Sequence, residues 1–254
     1  MTSWPSSKAR QVLSALYRIG WTLKRQSGSH KTLSRSGWPI FIACISFVAG
    51  FTAAAAHAQV GVPWQRTPAI TVIGPEGDPR HAVVDEAVAF WNKTLEELGS
   101  GFRLGAVTRL ARPVPEEDLR SLGESVLAAQ RGTVRVPRVF HELPGDLVIM
   151  LADTDFISFA GPFFANWKRV VGIKGMAYWP LTLPNVPRNL ITHELGHAIG
   201  LGHNSDATKL MCGRPWPCRP NAFRSAEPRM FPLTDEEKQQ LLSMYPAAWK
   251  SRSP

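Results

Sequence analysis

The eleven residues His193-Glu-Leu-Gly-His197-Ala-Ile-Gly200-Leu-Gly-His203 carry the chemistry of this chain. On a helix His193 and His197 stand four residues apart, so both imidazoles share one face, roughly 6 Å apart at the backbone, and can grip one metal ion. Glu194 follows the first histidine. Its carboxylate lies near the open coordination position, where it accepts a proton from activated water without being a ligand itself. Gly200 comes three residues after His197, where the absence of Cβ lets a helix finish in a left-handed turn. That reversal brings His203 to a third position, and three neutral imidazoles plus one open site describe a catalytic zinc. At this chain's own residue frequencies the HExxH core arises by chance in about one such sequence in a hundred, and the full pattern in roughly one in 10⁵. Ordinary histidines on an ordinary helix are therefore the weaker reading.

Upstream, Pro68-Ala-Ile-Thr-Val-Ile-Gly74 reads as a short strand. Pro79 opens a helix with Val84, Val88, Trp91 and Leu95 on its apolar stripe, ending at Gly99 or Gly101. Phe102–Ala111 alternates as a second strand, Glu116–Gln130 has the acidic first turn of a helix, and Leu147–Leu151 is a buried strand. Val170–Trp179, interrupted by Gly172 and Gly175, reads as a strand at a sheet edge. Mixed strands and long helices over about 190 residues give an α/β or α+β domain with one core.

Downstream, Met211 stands eight residues after His203, in KLMCG. Through this spacing and the histidine string, the sequence resembles the metzincin clan of zinc endopeptidases, most like its matrixin branch. The resemblance extends from about Ile70 to Pro246. It implies a zincin-like fold, with a twisted mixed sheet over two long helices and a small C-terminal subdomain, and a methionine turn at Met211 beneath the metal. Leu233–Tyr245 resembles the final matrixin helix, and its own physics agrees, with Thr234 and Glu237 forming a capping box and Pro246 a stop. Gly175-Met176-Ala177-Tyr-Trp-Pro180 resembles the edge strand on which matrixins lay an extended substrate. Asn204 departs from the usual Ser or Thr. Tyr178 replaces a histidine of a second, structural zinc, so one Zn2+ is expected. Asp146, Asp153 and Asp155 are candidates for Ca2+, with solvated turn residues the commoner role for such acids.

The formal charge of +9 comes largely from residues 1–58, which hold seven Lys/Arg and no acid. The remainder is close to neutral, which excludes nucleic acid as the main partner. Trp38–Ala56 is apolar, basic only on its N-terminal side, and ends in Ala56-His57-Ala58, a small-x-small cleavage pattern. Residues 1–58 therefore read as a basic leader and signal peptide. An uncleaved anchor is the alternative, and Val12, Leu16, Ile19 and Leu23 at helical spacing keep an organelle transit peptide open. Residues 59–254 are expected to be the catalytic domain, monomeric, and secreted or periplasmic, with the membrane involved only through an uncleaved leader. Cys212 and Cys218, an even pair in an exported chain, suggest a disulfide; a zinc site lacks further ligands nearby. The expected activity is a zinc metalloendopeptidase acting on protein or peptide, with Glu194 as base. The alternatives are a non-hydrolytic module that holds peptide or cell-wall material, and a hydrolase of a non-protein amide.

Overall fold

The computed structural model describes residues 14, 17–18, 20–27, 30–35, 61–128, 134–163, 168–213, 218 and 223–252. The chain divides into two units, Met1–Ala56 and His57–Pro254. In the first, strands β1 (Thr22–Ser27) and β2 (His30–Ser34) form an antiparallel pair. The helical spacing that reaches Leu23 does not carry that far, because Gly20 turns with φ +88° and Leu23 pairs across the hairpin with Leu33. The apolar stretch 38–56 and the cleavage pattern at 56–58 lie outside the described residues. Among the described residues no helix is long and apolar enough to cross a membrane.

The second unit is built on five strands: β3 (Ile70–Gly74), β4 (Val107–Ala111), β5 (Leu147–Leu151), β6 (Phe159–Gly161) and β7 (Arg169–Ile173). Their spatial order is β4-β3-β5-β7-β6, parallel throughout except for β6, which runs antiparallel to β7. The unbroken run Leu-Val-Ile-Met-Leu of β5 suits a parallel strand buried on both faces. Its odd-numbered residues, with Val72 and Val171, join one core, and Val148 and Met150, with Ile73 and Val170, join the other. Helices α1 (Arg80–Glu97) and α3 (Val186–Ala198) supply Trp91 and Leu195 to the first core. Helix α2 (Glu116–Ala128) covers the second with Leu119 and Leu122. The mixed α/β fold is thus as expected, but the sheet is covered on both faces and not by two helices alone.

Among the described residues the C-terminal segment has no core of its own. Helix α4 (Asp235–Met244) and the residues flanking it place Phe231, Leu233, Leu241 and Tyr245 in the same core as Trp91. Its start is the expected capping box: the Thr234 side chain accepts from the Glu237 N–H, and the Glu237 carboxylate accepts from the Thr234 N–H.

Two strand expectations are corrected. The strand read from Phe102 begins only at Val107, because the Asn92 side chain takes both the N–H and the C=O of Leu104, at 2.8 and 3.1 Å, and leaves nothing for a ladder. The strand read over Val170–Trp179 is β7, which stops at Ile173 and lies inside the sheet between β5 and β6. Gly172 signalled an edge for the wrong reason. A Cβ there would come within 2.6 Å of the Phe159 ring, so the glycine makes room for a cross-strand aromatic. Gly175, Met176 and Ala177 follow in a turn tied by the Gly175 N–H to the Thr154 carbonyl at 3.0 Å. The segment likened to a matrixin edge strand is therefore a turn, and on this side of the sheet the edge is β6.

Candidate metal centre

Helix α3 opens after Asn185 with a proline in its first turn, where the missing N–H costs no helical bond. It is buried along most of its length. Its end is closed by two bonds, Gly200 N–H to the His197 carbonyl at 2.9 Å and Leu201 N–H to the Gly196 carbonyl at 3.0 Å, with Gly200 at φ +108°. This is the glycine-terminated reversal anticipated from the sequence, and a Cβ at that φ would be strained.

The reversal delivers His203 to the other two histidines. The three Nε2 atoms lie 3.1 Å (His193 to His197), 3.2 Å (His193 to His203) and 2.9 Å (His197 to His203) apart. Ligand nitrogens about 2.0–2.1 Å from a tetrahedral zinc are separated by roughly 3.3 Å, so the triangle is close to the size that zinc requires. The outer nitrogens fix the tautomers. His193 donates Nδ1–H to the Leu210 carbonyl at 2.7 Å, and His197 donates Nδ1–H to the Leu201 carbonyl at 2.8 Å. A carbonyl can only accept, so both Nε2 atoms present lone pairs toward one another, and a cation between them resolves that clash. Burial, together with the neighbouring histidines, pushes the His193 pKa down to about 3 and that of His197 well below 6.5. Neutral imidazoles are the form that binds metal. Among the described residues these three form the one such cluster of His, Cys, Asp or Glu.

Glu194 is 6% exposed, and burial raises its carboxyl to about 8 in the metal-free site. A dication held by the three histidines would favour its ionised form. Met211 is fully buried, and its sulfur lies against Gly196, on the helix turn between the first two histidines. Cys212 and Cys218 are joined in a disulfide. Asp146 meets Arg66 and the Ala69 N–H, Asp153 meets Arg80, and Asp155 meets Lys174, so each of these acids faces a cation.

Two groups that the sequence did not single out support the centre. Asn204, noted only as a departure, donates its side-chain amide to Glu237 at 2.6 Å and its backbone N–H to the Met211 carbonyl at 2.8 Å. It links the residue after the third histidine to the cap of α4. Arg169, at the start of β7, is 2% exposed and donates to the carbonyls of Ala198 and Val62, with its guanidinium 4.2 Å above the Trp64 ring. Burial lowers its pKa to about 10, which leaves it charged at neutral pH at the negative end of α3. Trp64 also donates its indole N–H to Ala198, and Tyr245 donates its hydroxyl to the Ile199 carbonyl at 2.8 Å. A single arginine before the apolar run Val170–Ile173 was the available signal.

No known family model and no curated protein matches the chain. Among solved structures, the crystal structure of archaemetzincin from Methanopyrus kandleri is similar to it at 18% identity and a TM-score of 0.43, covering 69% of this chain and 93% of that one.

Proposed function

We propose that the chain is a zinc-dependent metalloendopeptidase. The observation that carries this reading is the convergence of the His193, His197 and His203 ring nitrogens within 3.2 Å, with buried Glu194 next to His193 in the same helix. A bound zinc supplies the Lewis acidity that polarises a peptide carbonyl and acidifies water. Glu194 takes the proton from the attacking water on a carboxylate oxygen and passes it to the departing amine. The carbonyls of Leu210 and Leu201 hold the ligand rings in the metal-binding tautomer while this happens. Gly175–Ala177 is a turn and supplies no strand edge for an extended peptide, and β6, the edge strand packed against α3, is buried along its three residues. The matrixin branch is left out of the proposal, because its edge-strand segment is a turn and Asn204 serves the α4 cap. Export to a secreted or periplasmic location, or anchoring there, rests on the basic and apolar leader.

Glu194→Gln keeps size and hydrogen bonding but accepts no proton. It should retain one zinc per chain while hydrolysis of unfolded protein falls by about 10²–10⁴-fold. His197→Ala should lose metal and hydrolysis together. Undiminished cleavage by Glu194→Gln refutes the proposed base. A parent that binds zinc and peptide yet cleaves nothing is the non-hydrolytic module instead.

A further inference from the structure

The disulfide sits where the metal site is walled on its C-terminal side. Leu210 accepts from the His193 ring, Met211 packs against the helix turn between His193 and His197, and the His203 ring lies against Gly213. Residues 210–213 thus touch the surroundings of all three histidines, and Cys212 stands in the middle of them. The other sulfur, of Cys218, lies 3.8 Å from the Asn204 carbonyl, which also accepts from the Gly213 N–H at 3.3 Å. Cys212 itself forms a bridge with Asn204. The covalent bond therefore joins the strip 210–213 to Cys218, whose sulfur packs on the same Asn204 carbonyl that the strip's backbone already holds.

We propose that oxidation of Cys212 and Cys218 is the step that completes the metal site, so that the dithiol form of this chain binds zinc weakly and the disulfide form binds it tightly. This rests on the reading of the three histidines as a zinc site. The step needs a disulfide oxidant: one thiolate of the pair attacks a sulfur of that oxidant and displaces one of its thiols, forming a mixed disulfide. The second thiolate then attacks the first protein sulfur and displaces the other oxidant thiol. Two electrons and two protons leave the protein, and the oxidant departs as two thiols. A chain still in a reducing compartment is then held without firmly bound zinc, and exposure to an oxidising one switches it on. That supplies a restraint on activity that needs no inhibitory segment.

The test is zinc affinity, measured on the full chain by competition with a chromogenic chelator, for three forms: the oxidised parent, the parent reduced by a non-chelating phosphine, and Cys212→Ser/Cys218→Ser. Circular dichroism checks that each is folded. The reduced parent and the double variant should bind zinc about 10–100-fold more weakly, the range seen when a group supporting a ligand is lost. Reoxidation with glutathione disulfide should restore the parent and leave the variant unchanged. Cys212→Ala/Cys218→Ala takes the variant's place if the serine form does not fold, because the free thiols of the reduced parent are themselves zinc ligands. Equal affinity of the oxidised parent and the thiol-free variant overturns the proposal and leaves the zinc site standing; no zinc binding in any form overturns both.

Discussion

Glu194 and the ligand histidines are buried groups whose protonation differs between folded and unfolded chains, so the metal-free protein has a characteristic pH dependence. The folded pKa of His193 is lowered from 6.5 to about 3, and that of His197 is lowered as well. Their contribution is complete above pH 6.5 and is lost as the pH falls, because the unfolded chain takes up protons that the folded site refuses. Glu194 has the opposite sign. Raised from 4.5 to about 8, it contributes fully below pH 4.5 and its contribution is lost as the pH climbs toward 8. Two histidines outweigh one carboxyl below pH 6.5, so the site's contribution to stability peaks near that value. Urea unfolding of chelator-treated protein should show the decline from pH 6.5 to 8, and Glu194→Gln should flatten that limb alone. An unchanged limb in the variant assigns the decline elsewhere.

Among the elements, the end of α3 is the most heavily supported, and its partners come from three distant segments. Tyr245 accepts from the Trp64 N–H at 3.1 Å and donates to Ile199 at 2.8 Å, both in the interior. Tyr245→Phe leaves one buried donor and one buried acceptor without partners and should cost about 2 kcal/mol, read as a lower urea midpoint with an unchanged m-value. The helix and its histidines were legible because periodicity, a capping glycine and ligand spacing all agree over eleven consecutive residues. β5 and the α4 capping box were legible for the same local reason. β6 was not, since three residues carry no periodic signal, and β7 was misplaced because Gly172 answers to an aromatic ring on another strand. Arg169 stood out only as a cation before an apolar run, and its role was not readable, as its partners Val62 and Ala198 are far from it in sequence. Local order could be read, and long-range pairing could not.

For the whole molecule, the leader reading predicts that exported protein begins at Gln59. Mass measurement of the exported fraction checks this, and an intact N-terminus there would favour an anchored enzyme. Residues close behind that point are structural. Gly61 N–H donates to the Gly200 carbonyl at 3.2 Å, the Val62 carbonyl accepts from Arg169, and Trp64 is 7% exposed. The start of the second unit, from Gly61, is thus a strap across the end of α3.

Such a strap sets a sharp limit to trimming of the second unit from its N-terminal side. A cut at Gln59 leaves only Gln59 and Val60 ahead of Gly61, whereas a cut six residues later, at Gln65, removes Gly61 and Trp64 and uncovers Arg169 and the carbonyl of Ala198. An exopeptidase that reached Gly61 would begin to dismantle the fold. The lifetime of the protein among aminopeptidases would be set from this end, by the rate at which the strap peels away.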